Sequence, residues 1–405
     1  MQIDARNEAA PCGSVSNARS IAYPTTRDRV RIAIITGAIA PYTNRLFDSA
    51  ASQLDVQIEV LACETIEPQR KWLLPEPEHY TLTRLPGLRY HVSYTSHIYF
   101  NPAVVGRLRR SRPDIVFLDG FSPTVLLAAL WAFRARVPVA VMTDGSCETD
   151  PGSRSRIHRL MREILIPRAS IGIGASEDSL ELLQLYGLPR DRGIVLPINS
   201  AWDGPRVPPS FGDRPFDILF SGSIDDNRKG ALFFAEVIER MAAIGQRPTV
   251  RVVGDGPLRE TLRDRFEASG IAAHFDGFLQ QNDLPAAYSS AKLLLFPSRG
   301  DPWGLVANEA LLCGTPVIGS PHAVSTVELV ERFGVGIMLP LEADAWAAAA
   351  LRLTREPAAW AALQERHAEA CKSFSMPTCL EALREGIALA TGRDVGTPKD
   401  VGAIR

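Results

Sequence analysis

Short β-rich apolar runs and amphipathic helical stretches alternate along most of this chain, and that alternation narrows its folds to the parallel α/β class. The strands predicted in the first half are Val30–Thr36, Val56–Ala62, Asp114–Leu118, Val137–Met142, Ser170–Ala175 and Gly193–Pro197. Helical patterns at Pro102–Arg110, Pro123–Phe133 and Asp178–Tyr186 separate several of them. Parallel neighbours need a crossover connection, and a helix in the crossover covers a face of the sheet. The pattern stops at Asn199–Pro215, where four prolines and two glycines form a linker signature. It restarts with strand Phe216–Phe220, helix Gly230–Ala243, strand Thr249–Val253, helix Pro257–Ser269 and strand Ala272–Phe275. Helix Asp283–Ser290, strand Lys292–Phe296, helix Trp303–Cys313 and strand Pro316–Gly319 follow. The expectation is two doubly wound parallel-sheet domains facing an interdomain cleft, with ligands beyond the carboxyl ends of the strands.

A length of 405 residues suits two such domains. Residues 1–28 are polar and lack the apolar core of a signal peptide, so they read as a disordered leader. The expected division is then an N-terminal α/β domain over 29–200, a linker over 201–215 and a C-terminal α/β domain over 216–375. A helix over 376–392 is expected to pack back on the N-terminal domain, with a flexible tail over 393–405. The formal charge of −2 gives no net basicity to argue for nucleic acid. The six cysteines (Cys12, Cys63, Cys147, Cys313, Cys371, Cys379) form no C-x-x-C pair, and the seven histidines form no H-E-x-x-H. We therefore expect no metal site and a reducing, cytoplasmic setting. The longest apolar run, Phe121 to Phe133, is too short to cross a bilayer.

Two segments carry chemistry. In the first, Phe220-Ser221-Gly222-Ser223 closes a strand with small residues, and Arg228-Lys229-Gly230 precedes a helix. Small residues let backbone amides approach an anion, the helix start adds partial positive charge, and Arg228 and Lys229 supply full charges for a diphosphate. The bland alternative is a solvated turn. In the second, Asp301-Pro302 reads as a helix start with an acidic cap. Glu309 lies on a helix that also carries Leu305, Val306, Ala307, Ala310, Leu311, Leu312 and Cys313, leaving almost no polar face. A carboxylate there needs hydrogen-bond donors. Ligand hydroxyls or an internal ion pair would both serve.

The spacing Asp301-x7-Glu309, with Gly304-Leu305-Val306 and Gly314-Thr315-Pro316-Val317-Ile318, resembles the family-4 retaining glycosyltransferases of GT-B fold. Val252-Val253-Gly254-Asp255-Gly256-Pro257 and Phe275-Asp276-Gly277-Phe278 fall in the family's order, and Gly37-Ala38-Ile39-Ala40-Pro41-Tyr42 sits where its first glycine loop lies. The resemblance implies a GT-B-like enzyme moving a sugar, with retention, from a nucleotide-diphosphate sugar to a glycan or lipid-linked acceptor in polysaccharide or glycolipid synthesis. No further cofactor is implied. Arg228 and Lys229 would neutralise the diphosphate, beside Gly222 and Ser223. Amides of Gly304, Leu305 and Val306 would hold its oxygens, and Gly37 would let the N-terminal loop approach. Glu309 would take the ribose hydroxyls, Asp301 the sugar hydroxyls, and Phe278 would lie near the base.

Three positions depart from the family. Ser223 follows Gly222 where an arginine is common, the first acid is Asp rather than Glu, and Met142-Thr143-Asp144-Gly145 lacks the usual histidine. Asp144 is the acceptor-side candidate in its place, against a plain turn residue. The basic amphipathic stretch with Arg154, Arg156, Arg159 and Arg162 reads either as an ordinary helix or as a peripheral contact at the inner face of the membrane. Arg107, Arg109, Arg110 and Arg112 form a second basic cluster. Other functions open to such a cleft are a GT-B-fold epimerase or phosphorylase and a non-catalytic sugar-binding protein. A glycoside hydrolase has no use for a diphosphate cradle, and no G-x-G-x-x-G follows a strand to suit a nicotinamide enzyme.

Overall fold

The structure is a computed structural model that describes residues 29–66, 70–93, 96–153, 155–205 and 207–398. The expected leader, Cys12, Arg154 and residues 399–405 of the expected tail lie outside the described residues.

The first half runs β1 (Val30–Thr36), α1 (Pro41–Gln53), β2 (Val56–Ala62), β3 (Thr81–Arg84), β4 (Leu88–Ser93), β5 (Ser96–Phe100) and α2 (Ala103–Ser111). It continues with β6 (Ile115–Asp119), α3 (Pro123–Ala135), β7 (Val139–Thr143), α4 (Arg156–Leu165), β8 (Ile171–Gly174), α5 (Glu177–Leu185) and β9 (Gly193–Val195). The second half runs β10 (Phe216–Ser221), α6 (Ala231–Ala243), β11 (Val250–Val253), α7 (Arg259–Ala268), β12 (Ala273–Gly277), α8 (Leu284–Ser289) and β13 (Ala291–Phe296). After these come α9 (Leu305–Leu312), β14 (Val317–Gly319), β15 (Gly336–Met338), α10 (Ala343–Arg355), α11 (Pro357–Ala362), α12 (His367–Ser373) and α13 (Met376–Thr391).

The strands assemble into two sheets. The first has the order β3-β2-β1-β6-β7-β8-β9 and the second β12-β11-β10-β13-β14-β15. The neighbours β1, β2 and β6 pair in parallel, as do β10, β11 and β13. The central strands are apolar on both faces because helices cover both. In β1, Ile32 and Ile34 join the core beneath α1 and α13, while Ala33 and Ile35 join the core shared with α2, α3 and α5. Burying each such isoleucine contributes about 2 kcal/mol. In both sheets the chain winds outward from the first strand and then reverses, so each has a switch point, between β1 and β6 and between β10 and β13. Crevices open at these points.

The joint between the halves is anchored. Arg214 is 2% exposed. It donates to the carbonyls of Pro209, Ala291, Cys313 and Gly314 and to the Thr315 hydroxyl, at 2.7–3.1 Å. The cation thereby meets the negative end of α9. The last helix, α13, starts at the capping side chain of Ser375 and ends at Gly392, whose φ is +69°. Its Cys379, Leu380, Leu383 and Ile387 enter the core of the first sheet. Gly386 lets it approach, since a Cβ there would lie 3.3 Å from Ile171. Among the described residues no helix is long and apolar enough to cross a membrane.

One predicted element starts differently. Asp301 does not cap α9. Its backbone pairs as an isolated bridge with Ala323, its amide donating to His322 at 3.0 Å. The helix begins four residues on, after Gly304, which takes a left-handed φ of +98°. The bridge holds Asp301 extended and frees its carboxylate to face Lys229.

Candidate active site

The carboxyl end of β10 supplies Ser221 and Gly222, whose φ of +141° suits glycine. The loop that follows is pinned from both sides. The Asp225 carboxylate accepts from the amides of Arg228 and Lys229, at 2.9 and 3.4 Å. Ser298, just past β13 on the other side of the switch point, donates its hydroxyl to the Arg228 carbonyl at 2.9 Å. Topology thus brings the two motif segments together.

Their side chains meet at Asp301, which is 6% exposed. Lys229 ion-pairs with one of its oxygens and the Arg228 guanidinium lies 3.7 Å from the other. The Lys229 ammonium also lies over the Phe296 ring, 5.6 Å from its centroid. Gly304 supplies the turn into α9, and a Cβ there would lie 2.7 Å from that ring. The first amides of α9, including Leu305 and Val306, lack partners within the helix, so its N-terminus carries partial positive charge. One turn on, Glu309 is 7% exposed and accepts a 2.7 Å hydrogen bond from the Tyr288 hydroxyl. Burial pushes its pKa up to about 7, against the Tyr288 hydrogen bond and the Lys229 charge, which both lower it. Burial likewise raises the Tyr288 phenol.

The N-terminal domain contributes the facing wall. Gly37 follows β1, with the Tyr99 ring 3.3 Å from where its Cβ would be, and its carbonyl accepts from the Glu64 amide at 2.9 Å. Asp144 follows β7 at the same sheet edge and is solvent-exposed. Protein from both halves still crowds it, and that loss of hydration raises its pKa; repulsion from Asp301 adds to the rise and attraction to Arg228 opposes it. Those two interactions place Asp144 opposite the cation cluster. Bonds across the cleft hold the walls together: Lys71 to Asp255 at 3.1 Å, Leu73 amide to Gln280 at 3.1 Å, and Asn308 to the Ile198 carbonyl at 2.8 Å.

The structure therefore gathers Arg228, Lys229, Asp301, Glu309, Gly222 and Gly304 around one switch point, with Asp144 and Gly37 opposite. Ser223 is exposed at its rim. Phe278, 37% exposed, follows β12, two strands from β10, and stands apart from the cation cluster. Sequence reading missed Tyr288 and took Ser221 only as a small turn residue; their hydroxyls lie 2.9 Å apart beneath Glu309. It also missed Asp119 at the end of β6, which accepts from Thr36 at 2.7 Å and whose pKa burial pushes up to about 6. A carboxylate closing an otherwise apolar strand, Ile115–Asp119, was the available signal.

Residues 215–356 match the family model described as "Glycosyl transferases group 1", and residues 37–199 match the "Glycosyl transferase 4-like domain". The chain is 39% identical over 97 residues to the 2-deoxystreptamine N-acetyl-D-glucosaminyltransferase of Streptomyces fradiae, covering 23% of each. It is 25% identical to the sulfoquinovosyl transferase of Arabidopsis thaliana, covering 60% of this chain and 51% of that one. The chain thus spans about half or less of these relatives' lengths. Among solved structures, Anabaena HepE in complex with UDP and glucose superposes with a TM-score of 0.64 at 17% identity, covering 89% of this chain and all of that one. Sucrose-phosphate synthase from Thermosynechococcus elongatus gives 0.62 at 17% identity, covering 88% and 98%. With two parallel-sheet domains of this topology and both halves matching glycosyltransferase domains, the chain belongs to the glycosyltransferases of GT-B fold.

Proposed function

We propose that the protein transfers a sugar from a nucleoside-diphosphate sugar to a glycan or lipid-linked acceptor, with retention at the anomeric carbon. The supporting observation is the grouping of Arg228, Lys229, Asp301 and Glu309 at the β10–β13 switch point, opposite Asp144. As the glycosidic bond breaks, negative charge grows on the leaving diphosphate. Arg228, Lys229 and the amides at the start of α9 are fixed where that charge develops, which is where stabilisation accelerates a reaction. Lys229 pairs with Asp301 in this structure. An arriving diphosphate would compete for the ammonium and release the Asp301 carboxylate to accept from sugar hydroxyls. Glu309 would accept from the ribose hydroxyls, with Phe278 on the base side. Asp144 would meet the sugar or the acceptor from the opposite wall. No protein nucleophile is assigned, so retention would follow front-face substitution. The UDP and glucose in the HepE complex accord with a sugar nucleotide as donor. A relative named phosphatidyl-myo-inositol mannosyltransferase, 27% identical over 235 residues, accords with a lipid-linked acceptor. The setting would be cytoplasmic, with peripheral contact at the inner membrane face, and the cations would serve without a metal ion.

A thermal-shift screen of nucleoside diphosphates and sugar nucleotides tests this. A binder raises Tm by mass action. Glu309→Ala should abolish most of that shift. Lys229→Ala should retain part of it but slow sugar transfer, read as nucleoside diphosphate formed in the presence of acceptor, by about 10²–10³-fold. If no nucleotide moved Tm, or if Glu309→Ala kept the full shift at subsaturating donor, the assignment would fall.

A further inference from the structure

The Thr36 hydroxyl stands at a fork. It lies 2.7 Å from Oδ2 of Asp119 and 3.1 Å from the Ala38 carbonyl, and it has one proton to give. Thr36 ends β1 and Asp119 ends β6, the two strands that flank the switch point of the N-terminal sheet. Pairing of Ile35 with Leu118 brings the two strand ends level, although 83 positions of chain separate them. The space beyond is open, since a Cβ on Gly120 would meet nothing within 4 Å. Among the described residues no cation acts on Asp119.

This fork acts on the loop that faces the donor site. The Gly37 carbonyl accepts from the Glu64 amide at 2.9 Å, and the Ile39 amide reaches the Thr65 carbonyl at 3.2 Å. Between them, the Ala38 carbonyl has the Thr36 hydroxyl as its one partner among the described residues. The amides of Gly37 and Ala38 donate to no acceptor among those residues. Two successive free amides suit an anion, and the Ala38 carbonyl helps fix where they point. With Asp119 ionised, Thr36 gives its proton to the carboxylate and the Ala38 carbonyl goes without. With Asp119 neutral, the acid donates to Thr36 and Thr36 donates to Ala38, so each proton has an acceptor. Burial pushes the Asp119 pKa up to about 6; the Thr36 bond opposes the rise and the Asp144 carboxylate adds to it. Asp144 itself faces Asp301 and Arg228 of the other half. A diphosphate arriving opposite brings more negative charge and favours the neutral acid further.

We propose that Asp119 is a positioning residue for sugar transfer: as a neutral acid it holds the loop of Gly37 and Ala38 in place through Thr36, and donor binding completes this relay by proton uptake at Asp119. The inference rests on the transferase reading above and adds a residue that reading does not use. Asp119 touches no reacting atom and acts through Thr36. The direction of donation matters here, which separates the relay from a bond that merely braces two strands. An asparagine amide turned with Nδ2 toward Thr36 copies the neutral acid, whereas alanine removes it.

Isothermal titration of the full chain tests it, with the sugar nucleotide that shifts Tm most in the screen above, UDP-glucose first. Titrations at about pH 6.5 in buffers of different ionisation enthalpy count the protons exchanged. The phosphates of a sugar nucleotide do not titrate there. The unmodified protein should take up roughly half a proton more per donor bound than Asp119→Asn. Thr36→Val and Asp119→Ala should each weaken donor binding by about tenfold, the worth of one hydrogen bond, and Thr36→Val/Asp119→Ala should bind no more weakly than either. Asp119→Asn should recover most of what Asp119→Ala loses. Cooperative urea unfolding shows that the variants fold. Equal proton uptake in Asp119→Asn, or unchanged donor affinity in Thr36→Val, overturns the relay and leaves the transferase reading standing. If no sugar nucleotide shifts the Tm of the unmodified protein, both fall.

Discussion

The Tyr288 hydroxyl donates to Oε2 of Glu309 at 2.7 Å, and that phenol lies 2.9 Å from the Ser221 hydroxyl. Tyr288 has one proton to give, so Ser221 donates to Tyr288 and Tyr288 to the carboxylate. The relay aims Glu309 and partly offsets its lost hydration.

Glu309 should make stability depend on pH. Its folded pKa of about 7 lies above the ordinary 4.5, so the folded state holds the proton more tightly than the unfolded chain. The stabilisation is fully present below the unfolded value and is lost as pH rises through the folded one. It amounts to roughly 3 kcal/mol. Urea unfolding between about pH 5 and pH 8 should show this decline in the unmodified protein and a flatter profile in Glu309→Gln. Parallel profiles would refute it. Tyr288→Phe should raise the Glu309 pKa further and shift the decline to higher pH.

Gly304→Ala should destabilise the protein and weaken nucleotide binding together. The φ of +98° is strained for alanine, and its Cβ would lie 2.7 Å from the Phe296 ring and 2.8 Å from Ser325 Oγ. Such strain costs about 2–4 kcal/mol. Denaturant midpoints and nucleotide titration read the two effects. Unchanged nucleotide affinity would remove the start of α9 from the donor site.

Arg214→Met should lower stability by about 3 kcal/mol or more, because five hydrogen bonds end on this one buried guanidinium. Arg214→Lys should recover only a small part, since an ammonium cannot reproduce the fork. A Tm near that of the unmodified protein in either variant would contradict this.

Most of the fold was legible because both sheets are buried on both faces. Val30–Thr36 and Val56–Ala62 read as strands from their apolar runs, and the structure gives the same bounds. Helix α1 escaped notice, since Pro-Tyr-Thr-Asn-Arg opens it with little apolar periodicity. The β4–β5 hairpin went unread although Leu88 and Tyr90, and Ile98 and Phe100, stand at the alternate positions of a strand. The start of α9 was misplaced because Asp-Pro has the local form of a helix cap, while the bridge to Ala323 lies 22 positions away along the chain. Glu309 was legible as a stranded carboxylate on an apolar helix. Its partner Tyr288 was not, because that contact depends on α8 packing against α9.

The sequence by itself determined the alternation of strand and helix, the two-domain plan and the residue types able to hold a diphosphate. These follow from periodicity and local conformational preference, which neighbouring residues set. Only the tertiary structure decided that Lys229 meets Asp301 across 72 positions of chain, that Asp144 faces them from the other domain, and that Glu309 holds its proton up to about pH 7. Ion pairing and lost hydration depend on which surfaces pack together, and the two sheets fix that when their switch points face each other.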